Sequence, residues 1–95
     1  MKIPRGAYGD ERLAPAWIAV SDGHGGAAKP LIRCKCGRLA GIGLHHVYAD
    51  GRVTASFYHP LEGWEGDGQP GCGFHEMLEL DGYDGPEFPP VPRKA

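Results

Sequence analysis

The sequence predicts a small all-β domain made of antiparallel hairpins with a loop-rich periphery. Two stretches of alternating side chains flank an Asp50-Gly51 pair, which is a strong hairpin signal. Two further apolar stretches flank the loop "SDGHGG". The 95 residues include 16 Gly and 9 Pro, which weaken regular elements and leave a thin core. A chain of this size forms one domain, and a modest core usually requires disulfides or a bound metal.

The first predicted hairpin joins a strand over Ala16–Val20 to a return strand over Leu31–Cys34. The intervening loop contains glycines at positions that can take positive φ. The second hairpin runs through "GIGLHHVYADGRVTASFYH", and a two-residue turn at Asp50-Gly51 would place Ala49 opposite Arg52.

That register assigns the side chains of the second hairpin to two faces, because successive residues of a strand point to opposite sides. The face with more apolar residues is the predicted core. It carries Ile42, Leu44, Tyr48, Val53, Ala55 and Phe57, together with His46 and His59, whereas His45, Val47, Thr54, Ser56 and Tyr58 lie opposite.

The chain divides by composition into three parts. Residues 1–30 form an N-terminal arm and hairpin, residues 31–80 a central core, and residues 81–95 a Pro-rich tail that would be extended and flexible if free. Aromatic residues are enriched where interfaces carry their energy. We therefore expect a protein partner or larger assembly to bind through the tail, and the candidate anchors outside the central hairpin are the aromatic side chains of Trp17, Trp64, Tyr83 and Phe88. Each of these could instead pack on the domain's own core, and for Trp17 and Trp64 the core is the favoured position.

Charge is unevenly distributed along the chain. Residues 1–52 carry eight basic and four acidic groups, a net charge of +4, and residues 53–95 carry two basic and eight acidic groups, a net charge of −6. The acidic half disfavours general nucleic-acid binding. A small basic cluster remains as a possible contact for nucleic acid, formed by Lys29, Arg33, Lys35 and Arg38. The sequence has no apolar run that would span a membrane and no secretory signal, so we expect a cytoplasmic or virion location.

The three cysteines lie in two short motifs, "RCKCG" and "CGFH". In a reducing compartment, cysteines are more often ligands than disulfides. The hairpin brings both motifs to one end, and Cys₃His is a usual ligand set of structural zinc. The predicted zinc ligands are Cys34, Cys36, Cys72 and His75. His59, which ends the returning strand beside the site, is the substitute for His75.

The arrangement along the chain resembles small zinc-ribbon-type proteins of tailed bacteriophages from GC-rich hosts, because the motif "RCKCG" is followed by a hairpin and then by "CGFH". The resemblance covers roughly residues 31–80 and implies a zinc-ribbon-like core with the ligands named above. It implies no activity, and the first motif departs from the more common Cys-x-x-Cys.

Three functions are compatible with these features. The first is a non-enzymatic, zinc-stabilised structural or interaction module, such as a minor virion or assembly protein. The second is a zinc-ribbon regulator that contacts nucleic acid or the transcription machinery through the basic cluster. The third is a His-metal finger nuclease, which "LHHVYADGRV" faintly resembles, with His46 as general base and His45 or Asp50 as a metal ligand.

Overall fold

A computed structural model describes residues 1–10, 12–64 and 68–91 and contains strands and turns but no helix in these ranges. Consequently, no membrane-spanning helix is found in the described part of the chain. The strands are β1 (Lys2–Ile3), β2 (Ala16–Ser21), β3 (Ala27–Arg33), β4 (Leu39–Ala40), β5 (His46–Val47), β6 (Arg52–Tyr58) and β7 (His75–Leu80). The predicted small all-β fold is confirmed.

The strands form two sheets. One sheet has the order β1-β7-β6-β5, with β1 parallel to β7 and the other pairs antiparallel. The second sheet has the order β2-β3-β4 and is antiparallel throughout. One continuous cluster of buried side chains joins both sheets, and it consists of Ile3, Trp17, Ile32, Cys34, Ile42, Val47, Val53, Phe57, Phe74, Leu78 and Leu80.

The predicted hairpin is present as β2 and β3, although the return strand begins at Ala27 rather than Leu31 and ends at Arg33. Ala16 pairs with Arg33, and Ile18 pairs with Leu31. The loop between the strands is closed by Asp22, whose Oδ1 accepts hydrogen bonds from the backbone amides of His24 and Gly26 at 2.7 and 3.1 Å. Asp side chains favour such local bonds to the backbone, which explains why an aspartate stands at the start of this glycine-rich loop.

The register of the second hairpin differs from the prediction by one residue. Val47 pairs with Val53, and Tyr48 donates its amide to the carbonyl of Arg52 at 2.9 Å. The turn therefore contains three residues rather than two, and it ends at Gly51 with a φ of 92°. A side chain at Gly51 would also collide with the backbone carbonyl of Leu80, so this contact with β7 requires glycine.

The one-residue shift in register moves the side chains of the hairpin's first strand, which contains Val47, to the opposite face of the sheet. Val47, predicted outside, is fully buried, whereas Leu44, predicted inside, is 53% exposed. On β6, Val53 and Phe57 are buried as predicted, and Tyr58 is exposed.

Ala55 was also predicted in the core, and its exposure has a separate cause. The pairs Val53–Leu78 and Phe57–Glu76 show that four residue steps on β6 oppose two on β7. The extra residues bulge outward and leave Ala55 exposed. His45 lies beside this bulge, and its Nδ1 donates to the Ala55 carbonyl at 2.9 Å.

The observed register predicts which strand residue contributes to stability. Val47→Ala should lower the free energy of unfolding by about 2 kcal/mol, because it removes buried methyl groups and leaves a cavity. Leu44→Ala, the matched control, should change it by less than about 0.5 kcal/mol, since Leu44 is exposed. Urea unfolding of the metal-loaded chain measures both values. If Leu44→Ala were instead more destabilising than Val47→Ala, the result would support the register of a two-residue turn.

The tail is not free, in contrast to the expectation from its composition. Phe88 exchanges two backbone hydrogen bonds with Val47, both 2.8 Å long, and so extends the β5 edge. The Tyr83 ring packs edge-on against Trp17 with the centroids 5.5 Å apart. Both Tyr83 and Phe88 pack against the buried cluster. Residues 92–95 of the predicted tail lie outside the described residues.

The N-terminal arm likewise belongs to the folded unit. Ile3 is buried and pairs with Leu80 on β7. β3 crosses the compositional boundary between residues 30 and 31 and pairs with β4, so the arm and the central region share one core.

Candidate metal centre

Three segments bring four ligand side chains to one end of the molecule. Cys34 follows β3 directly, Cys36 lies in the next turn, His59 follows β6, and Cys72 precedes β7. The candidate ligand atoms all lie within 4.8 Å of one another. Cys34 and His59 are completely buried, Cys72 is half-buried and Cys36 is exposed.

The structure brings together the three predicted cysteines with His59, and it does not bring His75 to them. His75 lies on the exposed face of β7, where its Nε2 is 2.8 Å from Ser56 Oγ and its ring lies 4.6 Å from that of Tyr58. Phe74 is buried, and strand alternation therefore turns His75 outward. The same alternation places His59 on the inner side with Phe57. The substitute ligand identified in the sequence occupies the fourth position.

The distances between the ligand atoms fit a tetrahedral zinc ion. The Nδ1 atom of His59 lies 3.4 Å from the Sγ of Cys34 and 3.5 Å from those of Cys36 and Cys72. Zn–S bonds of about 2.3 Å and Zn–N bonds of about 2.0–2.1 Å at tetrahedral angles require S···N separations of about 3.6 Å. The Sγ atoms of Cys34 and Cys72 are 3.1 Å apart, somewhat closer than the roughly 3.8 Å that the same bond lengths require.

Both cysteine turns direct backbone amides at sulfur. The amide of Cys36 hydrogen-bonds Cys34, and the amide of Phe74 hydrogen-bonds Cys72. Gly37 and Gly73 adopt φ values of 95° and 77°, which favour glycine and permit the chain to turn tightly. Such bonds stabilise negative charge on sulfur, and sulfur must be a thiolate to bind a metal. The Cys-x-Cys spacing is therefore compatible with a tight turn.

The second turn is tied to His59 by main-chain bonds. His59 donates its amide to the Phe74 carbonyl and accepts from the Gly73 amide, each at 2.8 Å. A side chain at Gly71 would collide with the Pro60 carbonyl and the His59 ring. These contacts fix the position of His59 relative to Cys72 before any metal binds.

Trp64 covers the His59 ring, a contact that the sequence does not specify. The Trp64 and His59 rings stack 3.8 Å apart at an interplanar angle of 12°, and Trp64 Nε1 donates to the Tyr58 carbonyl at 2.9 Å. This stack holds the imidazole plane, which orients Nδ1 toward the sulfurs. The placement of a tryptophan five residues after the histidine was the only sequence signal for this contact.

The side chain of Arg33 stabilises the turn that contains Cys36 and Gly37. Although it is only 2% exposed, its guanidinium donates to the carbonyls of Gly37 at 2.9 Å and Tyr8 at 2.8 Å. Burial of an arginine is costly unless its donors are bonded; here the two terminal nitrogens of the guanidinium are bonded, whereas the buried Nε has no hydrogen-bond partner. Its positive charge also lies near a site that would carry a net charge of −1 with three thiolates and Zn²⁺.

The burial of Arg33 alters the proposed basic cluster. Lys29 is also engaged, because its Nζ donates to the carbonyls of Gly43 and Pro89 at 3.0 Å each, and burial lowers its pKa. Lys35 is exposed. The four residues therefore do not form one accessible basic surface, and at least Arg33 acts inside the protein.

Burial opposes ionisation of the innermost thiol of the cluster. Burial raises the pKa of Cys34 from 9.0 to about 12; the backbone amide of Cys36 opposes this rise, whereas side-chain bonds with Cys72 and Cys36 add to it. Burial also acts to raise the pKa of Cys72, but bonds from Cys34 and from the Phe74 amide outweigh it and lower that pKa. Since the Cys34 pKa is raised on folding, the metal-free fold loses stability as pH rises from about 9 to 12. A metal ion that replaces the protons removes this cost.

The residues of the nuclease hypothesis do not converge on a metal site. His45 is bonded to the Ala55 carbonyl, and Asp50 pairs with Arg52 at 2.9 Å. His46 Nε2 lies 3.1 Å from a Glu87 carboxylate oxygen, an ion-pair contact rather than an aligned hydrogen bond, and its ring stacks on Tyr48. Within residues 1–10, 12–64 and 68–91, the one group of three or more possible metal ligands is the Cys₃His cluster.

Comparisons of the chain with protein-family models, curated proteins and solved structures find no match.

Proposed function

We propose that this protein is a non-enzymatic interaction module whose small β fold is held together by one structural zinc ion. The observation that carries the proposal is the convergence of Cys34, Cys36, His59 and Cys72, with all ligand atoms within 4.8 Å. Tetrahedral sites of sulfur and nitrogen favour zinc. The metal would link the end of β3 to the ends of β6 and β7, and thereby both sheets.

The ligand set supports a structural rather than a catalytic role. Four protein ligands fill a tetrahedral shell, whereas catalytic zinc sites keep one position for water or substrate. Burial of Cys34 and His59 also restricts access to the ion. The histidines of the second hairpin contribute to the fold, because His45 closes the β6 bulge and His46 contacts Glu87.

The interaction role rests on the surface that this scaffold presents. Apolar side chains remain exposed near the metal end and on the outer face of the first sheet, including Leu61 at 70%, Tyr58 at 48% and Met77 at 52%. A zinc-fixed scaffold holds such side chains in place, which reduces the entropy lost on binding a protein partner.

The proposal predicts one zinc ion per chain. Native mass spectrometry of the purified chain should show a single bound zinc, and elemental analysis should give the same ratio. Cys72→Ser should lose the ion, because it removes one of four ligands. Zinc affinity should also decrease as pH is lowered, since protons compete for the thiolates.

Ser56→Ala is a suitable control for this measurement, because Ser56 contacts His75 rather than the ligand cluster. It should retain one zinc per chain. A folded wild-type chain that contains no metal, or full zinc retention by Cys72→Ser, would contradict the site.

A further inference from the structure

The two cysteine turns bring a pair of sulfurs into direct contact. The Sγ atoms of Cys34 and Cys72 are 3.1 Å apart, although 38 residues separate them in the chain. A disulfide bond is about 2.05 Å long, so the sulfurs need to move together by about 1 Å from this separation, or by about 1.7 Å from the roughly 3.8 Å of a zinc-bound pair. Cys34 and Cys36 are a poorer pair, because one intervening residue is hard to reconcile with disulfide geometry.

The three sulfurs differ in access to solvent. Cys36 is exposed, Cys72 is half-buried and Cys34 has no exposed surface. An oxidant from solvent therefore reaches Cys72 or Cys36 first. Both lie beside the buried sulfur of Cys34, but only Cys72 is far enough away in the chain to form an unstrained disulfide with it, so Cys34 reacts with an oxidised Cys72.

We propose that the metal centre is a redox switch, in which a peroxide converts Cys34 and Cys72 to a disulfide and zinc is released. This inference rests on the proposed zinc-binding function and adds its regulation. In the first step, the Cys72 thiolate attacks one peroxide oxygen, the O–O bond breaks, and a sulfenic acid and hydroxide form. In the second step, the Cys34 thiolate attacks the Cys72 sulfur and displaces hydroxide.

The two steps balance as a two-electron oxidation. Two thiolates, one hydrogen peroxide and two protons give one disulfide and two water molecules. Zinc retains only Cys36 and His59 as protein ligands, which is too few for a closed tetrahedral site. The ion therefore dissociates, and Cys36 remains as an exposed free thiol.

The disulfide would replace the metal as a cross-link between the same two turns. The main-chain bonds between His59 and residues 73 and 74 do not depend on the metal and keep the second turn in place. The oxidised chain should therefore stay folded without zinc. Reduction of the disulfide would regenerate the ligands and restore metal binding.

The test begins with the reduced chain, whose zinc content is measured before oxidant is added. Hydrogen peroxide is then added in the presence of a chromogenic zinc chelator, and the protein is digested without reduction for mass spectrometry. We expect release of one zinc per chain, a Cys34–Cys72 disulfide, and a decrease from three alkylatable thiols to one. Dithiothreitol followed by zinc should restore the starting state.

Variants separate the sulfur pair from the third cysteine. Cys36→Ser retains the reacting pair and should form the Cys34–Cys72 disulfide even if its zinc affinity is reduced. The double variant Cys34→Ser, Cys36→Ser cannot form an intramolecular disulfide, and its Cys72 should proceed to higher oxidation states of sulfur. A Cys36–Cys72 disulfide in the wild-type chain, or zinc retention under peroxide, would overturn the proposal.

The zinc content of the reduced chain, measured before oxidant is added, distinguishes failure of the proposed zinc-binding function from failure of the redox inference. A reduced chain that contains no zinc contradicts the proposed function. A reduced chain that contains zinc but is oxidised at other sulfurs, or forms only intermolecular disulfides, contradicts the redox inference alone.

Discussion

Replacement of His59 by alanine is expected to abolish stoichiometric zinc binding and the cooperative unfolding transition. His59 supplies the nitrogen ligand and is completely buried, so its removal leaves an incomplete shell in a cavity. A structural zinc contributes on the order of 10 kcal/mol in apparent terms. This is comparable to the net stability of a typical domain, about 5–15 kcal/mol. Elemental analysis and thermal unfolding followed by circular dichroism measure the two effects.

His75→Ala is the matched control, because it removes the same side chain from the other candidate position. It should retain one zinc per chain and lose about 1 kcal/mol at most, the contribution of its hydrogen bond with Ser56. Zinc loss in His75→Ala together with zinc retention in His59→Ala would instead support the ligand set predicted from the sequence.

The distinction between these two histidines illustrates what the sequence could predict. The three cysteines could be assigned from their spacing and from the hairpin that joins them. Spacing favoured His75 as the fourth ligand, because Cys-x-x-His is an ordinary ligand pattern. Spacing does not show, however, which face of the strand a histidine occupies. Which histidine lies beside the cysteines depends on Phe74, because burial of Phe74 in the core turns His75 outward. His59 was identified as the alternative because it ends the returning strand beside the cysteines.

The hairpin register depended on a contact that lies outside the hairpin. Asp50-Gly51 correctly indicated a turn, but both two- and three-residue loops use glycine with positive φ. The structure has the longer loop, with Gly51 packed against the backbone of Leu80 and accepting its amide hydrogen bond at 2.7 Å. Local sequence does not specify a contact with β7, which lies 24 to 29 residues further along the chain.

Composition was a poor guide to the tail and to Arg33. Prolines and glycines indicated an extended segment, and extended segments can pair with an open strand edge as well as remain free. Phe88 pairs with Val47 in this manner. A basic residue beside a cysteine indicated a charged surface, whereas Arg33 is buried because three backbone carbonyls surround its guanidinium.

Deletion of residues 82–95 is expected to destabilise the fold strongly, whereas a free tail, as its composition predicts, could be removed with little change in stability or zinc content. The deletion removes Tyr83 from Trp17 and Phe88 from the β5 edge, and it exposes part of the buried cluster. Phe88→Ala alone should cost about 3 kcal/mol, since it removes an aromatic side chain that packs against the core. Urea unfolding of the zinc-loaded chain measures both changes.

Val91→Ala lies in the same segment and serves as the control. Its side chain is 61% exposed, whereas its backbone amide donates to the Gly43 carbonyl and is unaffected by the substitution. The free energy of unfolding should therefore change by less than about 0.5 kcal/mol. If the truncated chain and Phe88→Ala both retain wild-type stability and zinc content, the tail contributes nothing to the fold and is available for a partner. If both lose stability while Val91→Ala does not, the tail is the outer strand of the first sheet, and a partner that binds it must first separate Phe88 from Val47.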